Sequence, residues 1–141
     1  DACLSEFMEG TGEAPIAALR ARIDGHFVHP TIEAVLESLE ADQSDWARET
    51  AADLRRKSPT SLKITMRQLA EGAKLDFEDA MQLEFRMVHR VQEAPDFFEG
   101  VRALIIDKDQ APRWRPASLD AVTEADVEAY FAPVGEPLAL A

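Results

Sequence analysis

Between Pro15 and Phe131 the apolar residues recur every three or four positions, and each run is closed by a proline, a glycine or a capping side chain. That spacing belongs to one face of a helix. No stretch alternates apolar and polar residues between turn signals, as a half-buried strand would. The pattern predicts an all-α fold of six or seven helices joined by short connections.

Read in order, Pro15 opens a helix to about Asp24, with Ile16, Leu19 and Ile23 on one side and Gly25 as its end. Thr31 caps the next, which turns Ile32, Val35, Leu36 and Leu39 inward. Asp42 or Ser44 caps a third, to about Lys57, with Trp46, Ala47, Thr50, Ala51 and Leu54 on one face. Its last turn holds Arg55, Arg56 and Lys57, where cations suit the carbonyl end of the helix dipole. Ser58-Pro59 then restarts a helix to about Glu71, with Ser58 as cap and the proline in the first turn. The spacing predicts Leu62, Thr65, Met66 and Leu69 inward, and Lys63 and Arg67 on the other side. Asp76 and Asp79 begin the longest helix, to about Ala94, burying Leu83, Met87 and Val91 with support from Ala80 and Val88.

Pro95 stops that helix. Asp96 then stands where a cap would, and Glu99 three residues on completes the pattern of a capping box. Phe97, Val101, Leu104 and Ile105 come next at helical spacing as a wide apolar stripe. Gly100 falls within it at about 1 kcal/mol relative to alanine, so another group is expected to come close there. Asp107-Lys108-Asp109 ends the element in a charged turn, and Pro112 and Pro116 bracket Trp114. Thr123 and Asp126 predict a capping box for a last helix that ends near Ala132-Pro133.

The expected organisation is a flexible or cut start over 1–14, one helical region over 15–133 and a frayed tail over 134–141. Hydrophobic residues at 46% supply a core for one domain. No apolar run is long enough for a membrane span. Cys3 is the only cysteine, which excludes an internal disulfide and points to a reduced, cytoplasmic setting. The first residues, acidic and without a basic stretch, do not resemble a targeting peptide.

A net charge of −12 argues against nucleic acid as a partner. The charge is uneven, however. Residues 54–74 carry six basic side chains and one acidic, a net +5 island inside an acidic chain. It reads either as a solvated face that offsets its neighbours or as an anion-binding edge.

His26, His29 and His89 lack the spacing of a metal set and read as ordinary polar side chains. Asp107-Lys108-Asp109 lacks the further ligands of a calcium loop. Ser58 is explained by its capping position, without a nucleophile's role. The six glycines form no Gly-rich turn feeding a helix, the usual source of an oxyanion hole. No catalytic residue and no metal ligand is assigned.

The blocks Ile23-Asp24, Thr31-Ile32-Glu33, Ser58-Pro59-Thr60-Ser61-Leu62-Lys63, Glu84-Phe85-Arg86 and Glu99-Gly100-Val101-Arg102-Ala103-Leu104-Ile105-Ile106-Asp107-Lys108-Asp109, in this order, resemble the C-terminal part of the 3-hydroxyisobutyryl-CoA hydrolases. These are a branch of the enoyl-CoA hydratase/isomerase (crotonase) superfamily. The similarity extends from about Ile23 to Phe131.

The resemblance implies hydrolysis of a 3-hydroxyacyl-CoA thioester, as in valine breakdown. It implies no cofactor beyond the coenzyme A that the substrate carries. The acid/base machinery of that family lies in a ββα core that no segment here matches. These helices would therefore cover an acyl-CoA site built elsewhere, through an apolar face that could also self-associate. In relatives, the helix that begins at the Glu-Gly pair supplies an aromatic residue and then a lysine to the nucleotide end of CoA. Here Leu104 takes the aromatic position, and one extra residue moves the lysine to Lys108. Lys108, with Lys63 and Arg67, is the expected border of the CoA entrance. The alternatives are the equivalent part of an enoyl-CoA hydratase or isomerase, or a stand-alone helical interaction module.

Overall fold

The computed structural model describes residues 12–139. Most of the expected flexible start, with Cys3, lies outside them, as do the last two residues of the tail. Among the described residues there are seven α-helices and no strand. They are α1 (Arg20–Phe27), α2 (Ile32–Ala41), α3 (Asp45–Arg55), α4 (Pro59–Gly72), α5 (Phe77–Val91), α6 (Pro95–Val101) and α7 (Glu124–Phe131).

Side-chain caps set most of the helix starts. Thr31, Ser44, Ser58 and Asp76 each accept the N–H of the residue three further on, and Thr123 and Asp126 form the expected reciprocal box. Ser44 is the cap of α3, while Asp42 accepts the Ser44 N–H at 2.8 Å. Gly25 lies inside α1 and does not end it; the helix runs on to Phe27 after a 3₁₀ turn over Pro15–Leu19.

Two apolar clusters share α4. On one side Ile32, Val35, Leu36 and Leu39 of α2 pack against Ala47 and Ala51 of α3, with Leu62 and Met66 of α4 leaning in. The two alanines let the helices approach closely. On the other side Ile64 joins Leu83 and Met87 of α5, Val122, and Val127 and Phe131 of α7. This central position corrects the single inward stripe expected for α4. Residues 62 and 66 serve one cluster and residue 64 the other, which leaves Thr65 exposed and Leu69 at 66% exposure. On α5, Leu83 and Met87 are buried as expected, Val91 is half-buried and Val88 faces out. The tail is not free at Leu138, whose N–H and carbonyl both bond the Gln82 amide, at 3.0 and 2.6 Å.

Helix α6 and the turn after it belong to neither cluster. The backbone widens over Arg102–Ile106 into a π-helical turn, with the Asp107 N–H reaching the Arg102 carbonyl at 2.8 Å. In this arm only Ala103 is buried. Of the expected apolar stripe, Phe97 (44%), Leu104 (52%) and Ile105 (65%) are exposed and Val101 is half-buried, and Ile106 beside it is 70% exposed.

Candidate functional site

The Asp96–Glu99 capping box does not form. Ala94 precedes α6 without a side-chain cap, because both carboxylates are drawn to another task. Asp96 accepts the Ser58 hydroxyl at 2.5 Å and the Arg115 N–H at 2.7 Å. Glu99 accepts the Arg113 N–H at 2.7 Å and the Nη2 and Nε groups along one edge of the Arg102 guanidinium, at 2.8 and 2.9 Å. The two acids therefore clasp the segment 113–115 onto α6, and Asp96 joins the arm to the cap of α4. Trp114 completes the clasp, donating its indole N–H to the Arg56 carbonyl at 2.9 Å.

The ring of Trp114 is the group that approaches Gly100. A methyl there would lie 3.5 Å from Cη2 and 3.6 Å from Cζ3, an ordinary contact. Gly100→Ala is therefore expected to leave the clasp intact and to stabilise by up to about 1 kcal/mol, as helix propensity dictates. Thermal unfolding checks this, and a lowered midpoint would show that the ring has no room to give.

Arg102 is a hub that periodicity and capping patterns do not single out. Beyond Glu99 it reaches Asp107 at 2.8 Å and Asp109 at 2.7 Å. It thereby folds the charged turn back on the arm, with Lys108 and Gln110 in the left-handed region, both at φ 56°. First the Arg102 hydrogen bonds, then the Arg113 N–H, hold the Glu99 carboxyl down at about 2. Asp109 is lowered as well, chiefly by Arg102. A carboxyl depressed in the folded state contributes stability above its unfolded value and loses it as pH falls through the folded one. The clasp should thus be fully held at pH 5 and release between about 4 and 2, with Trp114 fluorescence as the reporter. Glu99→Gln should abolish that transition; its persistence would assign the release to other acids.

Beneath the clasp runs an open groove of about 460 Å³ between the arm and α4, walled by Phe97, Val101, Leu104, Trp114, Ile64 and Tyr130. The Thr60 hydroxyl beside it is buried with no partner among the described residues. Burial holds the Tyr130 phenol above its ordinary value.

The structure does not bring the three expected cations together. The Lys63 ammonium lies 2.9 Å from Glu33 and 3.2 Å from the Val122 carbonyl. Arg67 sits over the Phe131 ring at 4.4 Å, with Glu71 and Glu128 each at 2.6 Å. Both tie helices together. Lys108 alone of the three has no ion pair among the described residues. His26 links Ser38 at 2.8 Å and Asp42 at 3.2 Å across α1 and α2, the ordinary polar role expected of it. No group of metal-ligating side chains is present among the described residues. No helix there is long and apolar enough to cross a membrane.

Residues 1–131 match the model of the family described as enoyl-CoA hydratase/isomerase. Over 114 residues, 81% of the chain, it is 44% identical to the mitochondrial 3-hydroxyisobutyryl-CoA hydrolase of Rattus norvegicus and 42% to that of Homo sapiens. A carnitinyl-CoA dehydratase from Mycobacterium thermoresistibile superposes on 99% of the chain with a TM-score of 0.89 at 36% identity. An enoyl-CoA hydratase from Rhodobacter sphaeroides 2.4.1 superposes on 95% with a TM-score of 0.81 at 35% identity. The chain spans 30% of the length of those curated relatives and 40% and 41% of the two solved chains. The cytoplasmic expectation finds no support, since the hydrolases matched are named as mitochondrial.

Proposed function

The chain belongs to the enoyl-CoA hydratase/isomerase family, and we propose that it is the C-terminal helical part of a hydrolase of 3-hydroxyisobutyryl-CoA or a close 3-hydroxyacyl-CoA. The observation that carries this reading is the identity of 39–44% with vertebrate hydrolases, each over 114 residues. The geometry supports a covering role. The helices fold around two apolar clusters, yet the arm turns Phe97, Leu104 and Ile105 outward over a groove. A remainder of the polypeptide that performs the thioester chemistry would lie against this face, and without it the exposed strip favours self-association. The CoA thioester carbonyl would meet its hydrogen-bond donors and acid/base groups in that remainder, while these helices exclude water and orient the acyl-CoA. Lys108, at the tip of the arm, would border the CoA entrance. Lys63 and Arg67, held by internal carboxylates, are not part of that border.

A longer protein containing this chain should release free thiol from 3-hydroxyisobutyryl-CoA, and the 141-residue chain alone should release none. Lys108→Ala in the longer protein should raise KM about threefold with kcat unchanged, the signature of one exposed charge contact. Hydration of an enoyl-CoA without thiol release would replace this reading with that of a hydratase, which the likeness to the two solved structures favours.

A further inference from the structure

Two serines follow arginines at short spacing. Arg55-Arg56-Lys57 precede Ser58, and Arg113 and Arg115 stand five and three residues before Ser118. Guanidinium groups at fixed offsets before a hydroxyl are a charge pattern that protein kinases read, through carboxylates that take each guanidinium as a fork. Sequence alone leaves both serines open, and the fold separates them. Ser58 is closed: it is 5% exposed, its hydroxyl donates to Asp96 at 2.5 Å and accepts the Ser61 N–H at 3.1 Å. The arginines before it are paired, Arg55 with Glu40 and Arg56 with Asp53, and the chain leading to it is helical as far as Arg55.

Ser118 is open. From Ala111 to Pro116 exposure alternates residue by residue, the period of extended backbone, and Arg113 and Arg115 fall on the outer side. Glu99 and Asp96 hold them through their backbone N–H groups, and neither guanidinium has an ion pair among the described residues. Ser118 is extended as well, at φ −141° and ψ 157°, and its exposed hydroxyl makes no hydrogen bond among the described residues. Leu119 after it packs against the first cluster, which anchors the end of the run. Ser118 also lines an open cleft of about 340 Å³ with Lys57, Glu37 and Asp120. A phosphate ester would have room there, with Lys57 as its counter-charge set against the two carboxylates.

We propose that Ser118 is a phosphorylation site, presented by the pinned strap 111–118 to a Ser/Thr kinase with acidic pockets for Arg113 and Arg115. The phosphoryl donor is ATP. The Ser118 Oγ attacks the terminal phosphorus, the bond from that phosphorus to its bridging oxygen breaks, and ADP leaves. The hydroxyl proton passes to the catalytic carboxylate of the kinase.

The test is labelling of the folded chain with ATP and protein kinase B, a kinase that takes arginine at the fifth and third positions before its acceptor. Peptide mass spectrometry locates the phosphate, and circular dichroism checks the fold. The label should enter at Ser118, and Ser118→Ala should abolish it. Arg113→Ala combined with Arg115→Ala should slow labelling at least about tenfold, as loss of two charge-assisted contacts requires. Both substitutions keep the N–H groups that Glu99 and Asp96 hold, so the clasp survives them. The control pair Arg20→Ala with Arg22→Ala, on exposed α1, should stay within about twofold. Labelling of the folded chain at Ser58 instead, no labelling at all, or an undiminished rate in the Arg113/Arg115 variant overturns the site.

Discussion

Leu39→Ala is expected to lower the unfolding free energy by about 3 kcal/mol, within the range for a leucine truncated in a packed core. Leu39 is fully buried, at 0% exposure, among Val35, Leu36, Ala47 and Ala51. The alanines at 47 and 51 are what decides the size of the effect. They bring the α3 backbone close to α2, so the walls of the new cavity are main chain, which cannot fall inward as flexible side chains can. For a domain of this size the midpoint should drop by roughly 10 °C. The loss should be global: amide exchange in α2, α3 and α4 should accelerate together, because α4 is shared by both clusters. A drop below about 1 kcal/mol would mean that the α2–α3 pair is not part of the common core.

Trp114→Ala should cost about 2 kcal/mol, the sum of a half-buried ring and one hydrogen bond. Its distribution should be the opposite of the first. The ring lies on Gly100 and the indole N–H on Arg56, so the indole is what fastens the arm to the end of α3. Neither cluster contains a residue of Pro95–Ile106. Exchange should therefore rise about tenfold or more across 95–116 while α2 and α3 keep their protection, as expected when a unit opens on its own. Trp114→Phe should recover the packing and not the bond to Arg56, placing it between the two. Uniform acceleration through α2 would overturn the view of the arm as a separate unit.

Helix number, the caps at Thr31, Ser58 and Thr123, and the inward face of α2 were legible because each is decided within a few residues. Pro59 and Thr123 act on their own turns, and Ile32 to Leu39 bury one face whatever lies beyond. The face of α4 was not legible. Period alone marks Leu62, Met66 and Leu69 as one stripe, and only the placement of α5 and α7 on the far side makes Ile64 a core residue and leaves Leu69 outside. The capping box at Asp96 failed for a related reason. Its local geometry was available, but the Arg113 and Arg115 N–H groups, 14 and 19 residues away along the chain from Glu99 and Asp96, compete for the same oxygens. For the site, Gly100 correctly announced a close neighbour, while neither period nor capping pattern gave Arg102, Arg113 or Arg115 a role. The signal that could have found the last two is the alternation Pro-Arg-Trp-Arg-Pro, a period-two pattern too short to register as a strand.

The wide turn over Arg102–Ile106 bears on how the arm sets its own length. A π turn advances five residues where a regular turn advances four, so it takes up one residue of slack between two fixed points. Upstream the chain is moored at Asp96 and Glu99, downstream at Trp114 and Arg115. Shortening the stretch by one amino acid could straighten the turn and leave both moorings where they are. How far Lys108 stands out at the rim is thus a matter of residue count, adjustable without repacking either cluster.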